Sequence, residues 1–227
     1  HFIDARAEGK DVLLDNSIFE LGTAFDADKF AHYIDLIKPS YYVVPDVLED
    51  AAGTVNSFEA WKDKYGDKFS AMKIGVVQGI DFDEISKCYT YMTLNANMIA
   101  ISFDMSYYHY TGIGNNKLKR QCTGRYNLIR ALQYNGIWNL DKPHHLLGCS
   151  LAKEFAYYMN DTSIYSCDTS NPVVAGINEV RYNGEFGLET RNPTKLADLI
   201  DIEQPRSKAL GCIDYNVQQF RRIVHGV

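Results

Sequence analysis

The sequence predicts an α/β protein built as a (β/α)8 TIM-like barrel. Short apolar, β-branched or aromatic runs alternate with amphipathic segments, a polar or glycine residue stands near the end of each run, and no GxGxxG or Walker loop follows the first one. Alternating strands and helices imply a parallel sheet, because a parallel pair needs a crossover and a helix supplies it. Side chains at the carboxyl ends of successive strands gather at one face of a barrel. An open doubly wound sheet usually carries a glycine-rich phosphate loop after its first strand instead.

The elements follow in order. HFIDARAEG opens as a helix, and Val12-Leu13-Leu14 is the first strand, ending at Asp15. A helix runs from about Asp26 to Ile37, with Phe30, Tyr33, Ile34 and Ile37 at helical spacing and Asp26 as its cap. Tyr41-Tyr42-Val43-Val44 leads to Asp46 and a helix over about Ala51 to Tyr65. Met72 to Val77 leads to Gln78 and a helix over about Phe82 to Met92. Met98-Ile99-Ala100-Ile101 leads towards Asp104, a basic segment and a helix reaching about Tyr134. His145-Leu146-Leu147-Gly148, a helical segment from Leu151 to Met159, and Ile164-Tyr165-Ser166-Cys167 complete the series at Asp168. Six strands are legible where a closed barrel needs eight. One or two are therefore expected to precede His1 or to lie in segments that read as loops. Residues 1–227 form one domain in this reading, finishing from about residue 193 in helices near Thr194 to Ile202 and Ala209 to Val224.

Composition narrows the function. With 227 residues, 46% of them hydrophobic, the chain can bury one sizeable core. No run of 18 apolar residues exists, and the N-terminus lacks the order of basic, apolar and small residues of a secretion signal, so an intracellular protein without a membrane span is expected. Cys88, Cys122, Cys149, Cys167 and Cys212 are scattered, with no CxxC or Cys-His cluster. Reduced buried thiols are expected, rather than a disulfide framework or a zinc site. The net charge of −6 argues against nonspecific nucleic-acid binding by the whole surface. Locally, however, Lys117, Lys119, Arg120, Arg125 and Arg130 cluster after the aromatic, glycine-rich SYYHYTGIGNN. That segment reads either as a phosphate footprint or as a solvated helix face.

The most informative residue is Asp168. A strand holds its last side chains more firmly than a loop does, and Gly148 on the neighbouring strand leaves room for a ligand to approach the backbone. The competing reading is a turn, since Asp-Thr-Ser-Asn-Pro is good turn sequence. Cys149 and Cys167 flank the site, but no histidine is obviously placed to activate either as a nucleophile.

Several motifs occur in the order found in one family. LLDNSIFELG at 13 to 22 resembles a strand ending in Asp-Ser-Gly-Gly-Phe-Gln, with Asp15, Ser17 and Phe19 as counterparts. VVPDV at 43 to 47 is similar to a strand ending in a base-reading aspartate, and GVVQG at 75 to 79 to Gly-Ile-Val-Gln-Gly. HHLLGCSLAKEF at 144 to 155 is similar to Tyr-Leu-Met-Gly-Val-Gly and its following helix, and YSCDTSNP at 165 to 172 to the Phe-Asp-Cys-Val-Leu-Pro segment that carries the nucleophile. Over about residues 11 to 176 the chain thus resembles the tRNA-guanine transglycosylases, and in its departures their phage relatives that insert 7-deazaguanines into DNA.

The resemblance implies exchange of guanine for a 7-deazaguanine, expected to be the 7-cyano form. Asp168 would be the nucleophile and Asp15 the general acid/base. Asp46 would read the Watson–Crick edge of the base, Gln78 would hold its carbonyl, and Gly148, Ser17 and Phe19 would complete the substrate site. Two inversions at the sugar give net retention. Exchanging one glycosidic bond for another needs no ATP, redox cofactor or metal, so none is expected.

Departures shape the expected partner. The cysteine and histidine ligands of the tRNA enzymes' C-terminal zinc subdomain are absent, and Ser170-Asn171-Pro172 stands where their arginines follow the nucleophile. MIAISFDMS replaces the family's Gly-Gly-Leu-Ala-Val-Gly-Glu strand, so no catalytic role passes to Phe103 or Asp104. DNA is therefore expected in preference to tRNA, with Lys117, Lys119, Arg120 and Arg125 on phosphates and Tyr107, Tyr108 or Tyr110 stacking on bases. The expected setting, by the same resemblance, is the bacterial host cytoplasm of a phage. The rivals are the same exchange on tRNA, a non-catalytic barrel subunit that binds nucleic acid or a partner enzyme, and a barrel glycoside hydrolase.

Overall fold

Side-chain parity along the strands sends alternate residues into two different hydrophobic clusters. In the computed structural model, which describes residues 1–18, 24–66, 68–159, 161–183, 187–188 and 207–225, six strands form one parallel sheet in strict sequence order. They are β1 (Leu13–Leu14), β2 (Tyr41–Val43), β3 (Met72–Val77), β4 (Met98–Ile101), β5 (His144–Leu146) and β6 (Ile164–Cys167). Tyr42, Val44, Val77, Ile99, Ile101 and Leu146 pack outward on helical residues such as Phe30, Phe58, Met92 and Leu128. The alternate residues Leu13, Tyr41, Val43, Ile74, Val76, Met98, Ala100 and Leu147 form a second cluster made only of strand and strand-end residues. The period of two along a strand produces that division.

The helices on the outer face are α1 (Phe2–Ala7), α2 (Ala27–Ile37), α3 (Ala51–Tyr65), α4 (Phe82–Asn95), α5 (Tyr107–Thr111), α6 (Lys117–Tyr134), α7 (Asn171–Ile177) and α8 (Ser207–His225), with a 3-10 helix at Ala152–Tyr157. Local sequence sets their starts. Asp26, Asp50, Asp81 and Asn116 each accept the backbone N–H three residues on, at 2.8 to 2.9 Å, which satisfies an otherwise orphaned donor. Pro172 falls in the first turn of α7, where a missing N–H costs nothing. The segment after Asp168 that reads as a turn therefore starts a helix. The expected helix at Thr194 to Ile202 lies outside the described residues.

The sheet curls into a half-barrel rather than a full (β/α)8 barrel, with six strands among the described residues. An unbroken order from β1 to β6 distinguishes it from a doubly wound sheet, whose strand order reverses at a switch point. The curl brings β6 round to face β2. Hydrogen bonding to the Tyr165 hydroxyl, with burial, raises the Tyr41 phenol to about 12. No described helix is long and apolar enough to cross a membrane.

Candidate active site

Strand parity carries directly into the site. Leu13 and Asp15, His145 and Leu147, and Ser166 and Asp168 line one cavity of about 390 Å³ together with Asp11, Tyr41, Tyr165 and Cys167. That volume lies at the small end of the range for ligand pockets. Register aligns the two ends of the sheet. Leu146 pairs with Cys167, so Asp168 emerges beside Leu147 and Gly148. An irregularity between His144 and His145 leaves Tyr165 as the extra residue of β6 and sets Ser166 opposite His145.

Asp168 is held at one oxygen. Its Oδ1 accepts His145 Nε2 at 3.0 Å and the Gly148 N–H at 2.8 Å. Gly148 has φ +65°, and an added Cβ would meet only Phe103 Cβ at 3.6 Å. Backbone conformation, rather than crowding, therefore calls for glycine there. Burial pushes the Asp168 carboxyl up, but the hydrogen bond and field of His145, the Gly148 N–H and the charge of Arg125 outweigh it and hold it below its ordinary value. The Asp168 side chain is 53% exposed, which leaves its carboxylate open to solvent.

Asp15 enters the cavity from the end of β1, and its Oδ1 accepts the Asn16 N–H at 2.8 Å. Asn16 then connects it to the remaining strand-end residues. The Asn16 side-chain amide donates to Asp46 Oδ1 at 2.7 Å and to the Val44 carbonyl at 3.2 Å. Gln78 Nε2 donates to Asp46 Oδ2 at 2.8 Å, and Gln78 Oε1 accepts the Glu49 N–H at 3.1 Å. Asn16, Asp46 and Gln78 are all buried, and burial holds the Asp46 carboxyl above its ordinary range despite the two amide donors.

The expected site residues are thus distributed unevenly. Asp15 and Asp168 share the cavity; Asp46 and Gln78 form a buried polar network beside it. Ser17 follows in a left-handed backbone conformation, φ +58°, outside the cavity lining. Phe19 lies outside the described residues. His145 and Asn16 are the residues that the sequence reading missed. Parity on β5 was the available signal for His145, which shares the inward face with Leu147; Asn16 had none, being one more polar residue after a strand.

The basic segment needs a correction. Arg125 is fully buried, with Nε and Nη2 on the two carboxylate oxygens of buried Glu154 at 2.7 and 2.8 Å. Its Nη1 donates to the carbonyls of Leu147 at 2.8 Å and Ile101 at 3.2 Å, tying α6 to the ends of β4 and β5. Those bonds make it a brace for the rim and remove it as a phosphate contact. Lys117 lies at the start of α6, 3.3 Å from Asp104 and half-exposed, while Lys119 and Arg120 are partly covered. Tyr110 is exposed, Tyr107 is half-buried, and Tyr108 is buried with its hydroxyl on the Ser102 carbonyl, so Tyr108 cannot stack on a base. Cys149 is also buried, beside Arg125 Nη2 at 3.2 Å, and burial pushes its thiol well above its ordinary value, which argues against a thiolate nucleophile there.

A larger groove of about 480 Å³ lies outside the sheet, lined by Tyr126, Trp138, Tyr157, Arg130, Gln133 and Asp161 among others. Its polar groups bind one another, Arg130 to Gln133 at 2.8 Å and Gln133 to Asp161 at 2.9 Å. The smaller cavity, unlike this groove, is lined by carboxylates at strand ends, which makes it the candidate site. No group of His, Cys, Asp and Glu side chains suited to a metal occurs among the described residues.

Fold and cavity together define a parallel α/β half-barrel with two carboxylates at the carboxyl ends of its strands. No protein-family model matches the chain, and a search of curated proteins finds none similar to it.

Proposed function

We propose that the protein is a transglycosylase that exchanges guanine for a 7-deazaguanine, the 7-cyano form, in DNA through a covalent aspartyl-glycosyl intermediate. The observation that carries the reading is that Asp15 and Asp168, from opposite ends of the sheet, line one cavity. The half-barrel is, in this reading, a partial form of the (β/α)8 architecture of the transglycosylases that the sequence resembles.

The chemistry divides between the two carboxyls. Asp168 is held ionised and open to the cavity, as a nucleophile must be. It attacks the anomeric carbon of the nucleotide as guanine leaves with a proton from Asp15. Asp15 then takes the ring N–H proton of the incoming base, which displaces Asp168 from the sugar. Opening of the Asn16–Asp46–Gln78 network towards the cavity would present an acceptor to the N1–H and amine of a guanine-like base and an amide to its carbonyl. The target base must leave its stack to reach such a recessed site. Tyr107, Tyr110, Lys117, Lys119 and Arg120 supply the stacking and phosphate contacts in this reading.

Incubation with radiolabelled guanine tests the proposal. Label is expected to enter duplex DNA, to be chased by 7-cyano-7-deazaguanine, and to enter tRNA poorly. Asp168→Asn is expected to remove all incorporation. Incorporation by that variant at the wild-type rate would overturn the assignment, and preferential labelling of tRNA would reverse the choice of polymer.

A further inference from the structure

We infer that His145 is a positioning residue that, with the Gly148 N–H, clamps Oδ1 of Asp168, so that Oδ2 is the oxygen that bonds to the sugar. The inference rests on the transglycosylase reading and specifies which atom reacts. Both donors converge on Oδ1, and among the described residues Oδ2 receives no hydrogen bond. Oδ2 therefore keeps its lone pairs for the cavity.

The ring is fixed from its other side. His145 is buried, and its Nδ1 lies 2.8 Å from Ser166 Oγ. An ionised Asp168 can only accept, so Nε2 carries a proton in either charge state of the ring. In the neutral ring Nδ1 then accepts the Ser166 O–H, and in the protonated ring Ser166 Oγ accepts from Nδ1–H. Ser166 satisfies both states, and the ring orientation is the same in each. His145 and Ser166 are partners across β5 and β6, so the clamp is built into the sheet.

The clamp acts on both half-reactions. When Oδ2 bonds to C1′, the C1′–N9 electron pair leaves with guanine, which takes its proton from Asp15. Oδ1 becomes the carbonyl oxygen of the resulting ester, still facing the two donors. When the ring nitrogen of the incoming 7-deazaguanine attacks C1′, its proton passes to Asp15 and the C1′–Oδ2 pair returns to the carboxylate. The returning charge spreads onto Oδ1, where both donors stabilise it. The titratable and charged groups around Asp168 are His145 from β5, Arg125 from α6, Asp11 and Asp15 on either side of β1, Tyr41 from β2, and Tyr165 and Cys167 from its own strand.

The test compares His145→Phe with His145→Gln, whose side-chain amide can donate near the position of Nε2. His145→Phe is expected to lower kcat for base exchange by about 100-fold, the loss typical of one donor to a developing oxyanion. KM for the base should change by less than about threefold. The acid limb of the pH profile should move to higher pH, because a donor that holds Asp168 ionised is gone, and His145→Gln should recover much of both losses. A His145→Phe enzyme with wild-type kcat and an unmoved acid limb overturns the inference.

A second measurement is independent of turnover. Carbon-13 NMR titration of the Asp168 carboxyl should show its midpoint rising in His145→Phe and returning towards the wild-type value in His145→Gln. An unchanged midpoint in a folded variant overturns the clamp, whatever the reaction. Failure of the wild-type protein to exchange any base, with the NMR shift present, overturns the transglycosylase reading and leaves the clamp standing. Should the phenylalanine variant fail to fold, Ser166→Ala carries the same readouts, with loss of the ring's anchor expected to lower kcat and raise the Asp168 midpoint.

Discussion

Asn16 donates its side-chain amide to Asp46 Oδ1 at 2.7 Å, and through that bond the end of β1 is joined to the end of β2. Gln78 approaches the other carboxylate oxygen at 2.8 Å, so three strand ends are held together by one buried carboxyl.

That carboxyl gives the fold a specific pH dependence. Burial raises the Asp46 pKa, so the folded protein binds a proton here more tightly than the unfolded chain does. The stabilisation from protonation is complete below the unfolded value of about 3.9 and is lost as pH rises through the raised folded value. Asp46→Asn cannot titrate. Urea denaturation of both proteins should therefore show wild type gaining stability relative to Asp46→Asn as pH falls from neutral towards about 4. A difference independent of pH, or falling towards acid, contradicts this.

Arg125 and Glu154 form a bidentate pair with neither side chain exposed. Arg125→Met leaves Glu154 as an uncompensated buried charge and should cost about 3–5 kcal/mol. The double replacement Arg125→Met with Glu154→Leu should cost much less, because no charge remains buried. A double-mutant cycle in urea measures the coupling, and additive losses would show that the pair is not coupled.

Gly148 makes a separable contribution. Gly148→Ala places a Cβ in ordinary contact with Phe103 Cβ at 3.6 Å but in the left-handed region, at a cost of about 1–2 kcal/mol. Its N–H remains available to Asp168, so the loss is expected in thermal stability rather than in the ionisation of Asp168. A large rise in the Asp168 pKa would show instead that the loop had moved.

The proposed DNA binding should depend on the start of α6 without needing Arg125. Replacing Lys117, Lys119 and Arg120 with glutamine should weaken binding at every sequence tested and reduce the slope of log K against log salt by about 0.9 for each phosphate no longer neutralised. An unchanged slope would place the DNA elsewhere on the protein.

Much of the architecture was legible because each strand is a short apolar run that ends in a polar residue or glycine. Met72–Val77, Met98–Ile101 and Ile164–Cys167 occupy the residues that their sequence patterns mark. The helix from Ala51 to Tyr65 does the same. Turn chemistry concealed α7, since a serine and asparagine before proline suit both a turn and a helix start. Arg125 was misread for a different reason. One-dimensional clustering with Lys117 and Arg120 cannot show that a helix turns one of its cations inward, where Glu154, 29 residues away, neutralises it. His145 needed the parity of β5 together with the register to β6, and register is not a local property of sequence. The approach of Asp15 to Asp168 likewise depends on the curl of the whole sheet.

Mapping the protein–DNA adduct tests the central assignment most directly. Protein denatured during turnover on guanine-containing DNA, with the incoming base withheld, should retain a base-free deoxyribose phosphate after nuclease digestion. Tandem mass spectrometry should place a deoxyribosyl group on Asp168. A sugar on Asp15, Ser166 or Cys167, or an adduct of equal yield in Asp168→Asn, would contradict Asp168 as the nucleophile.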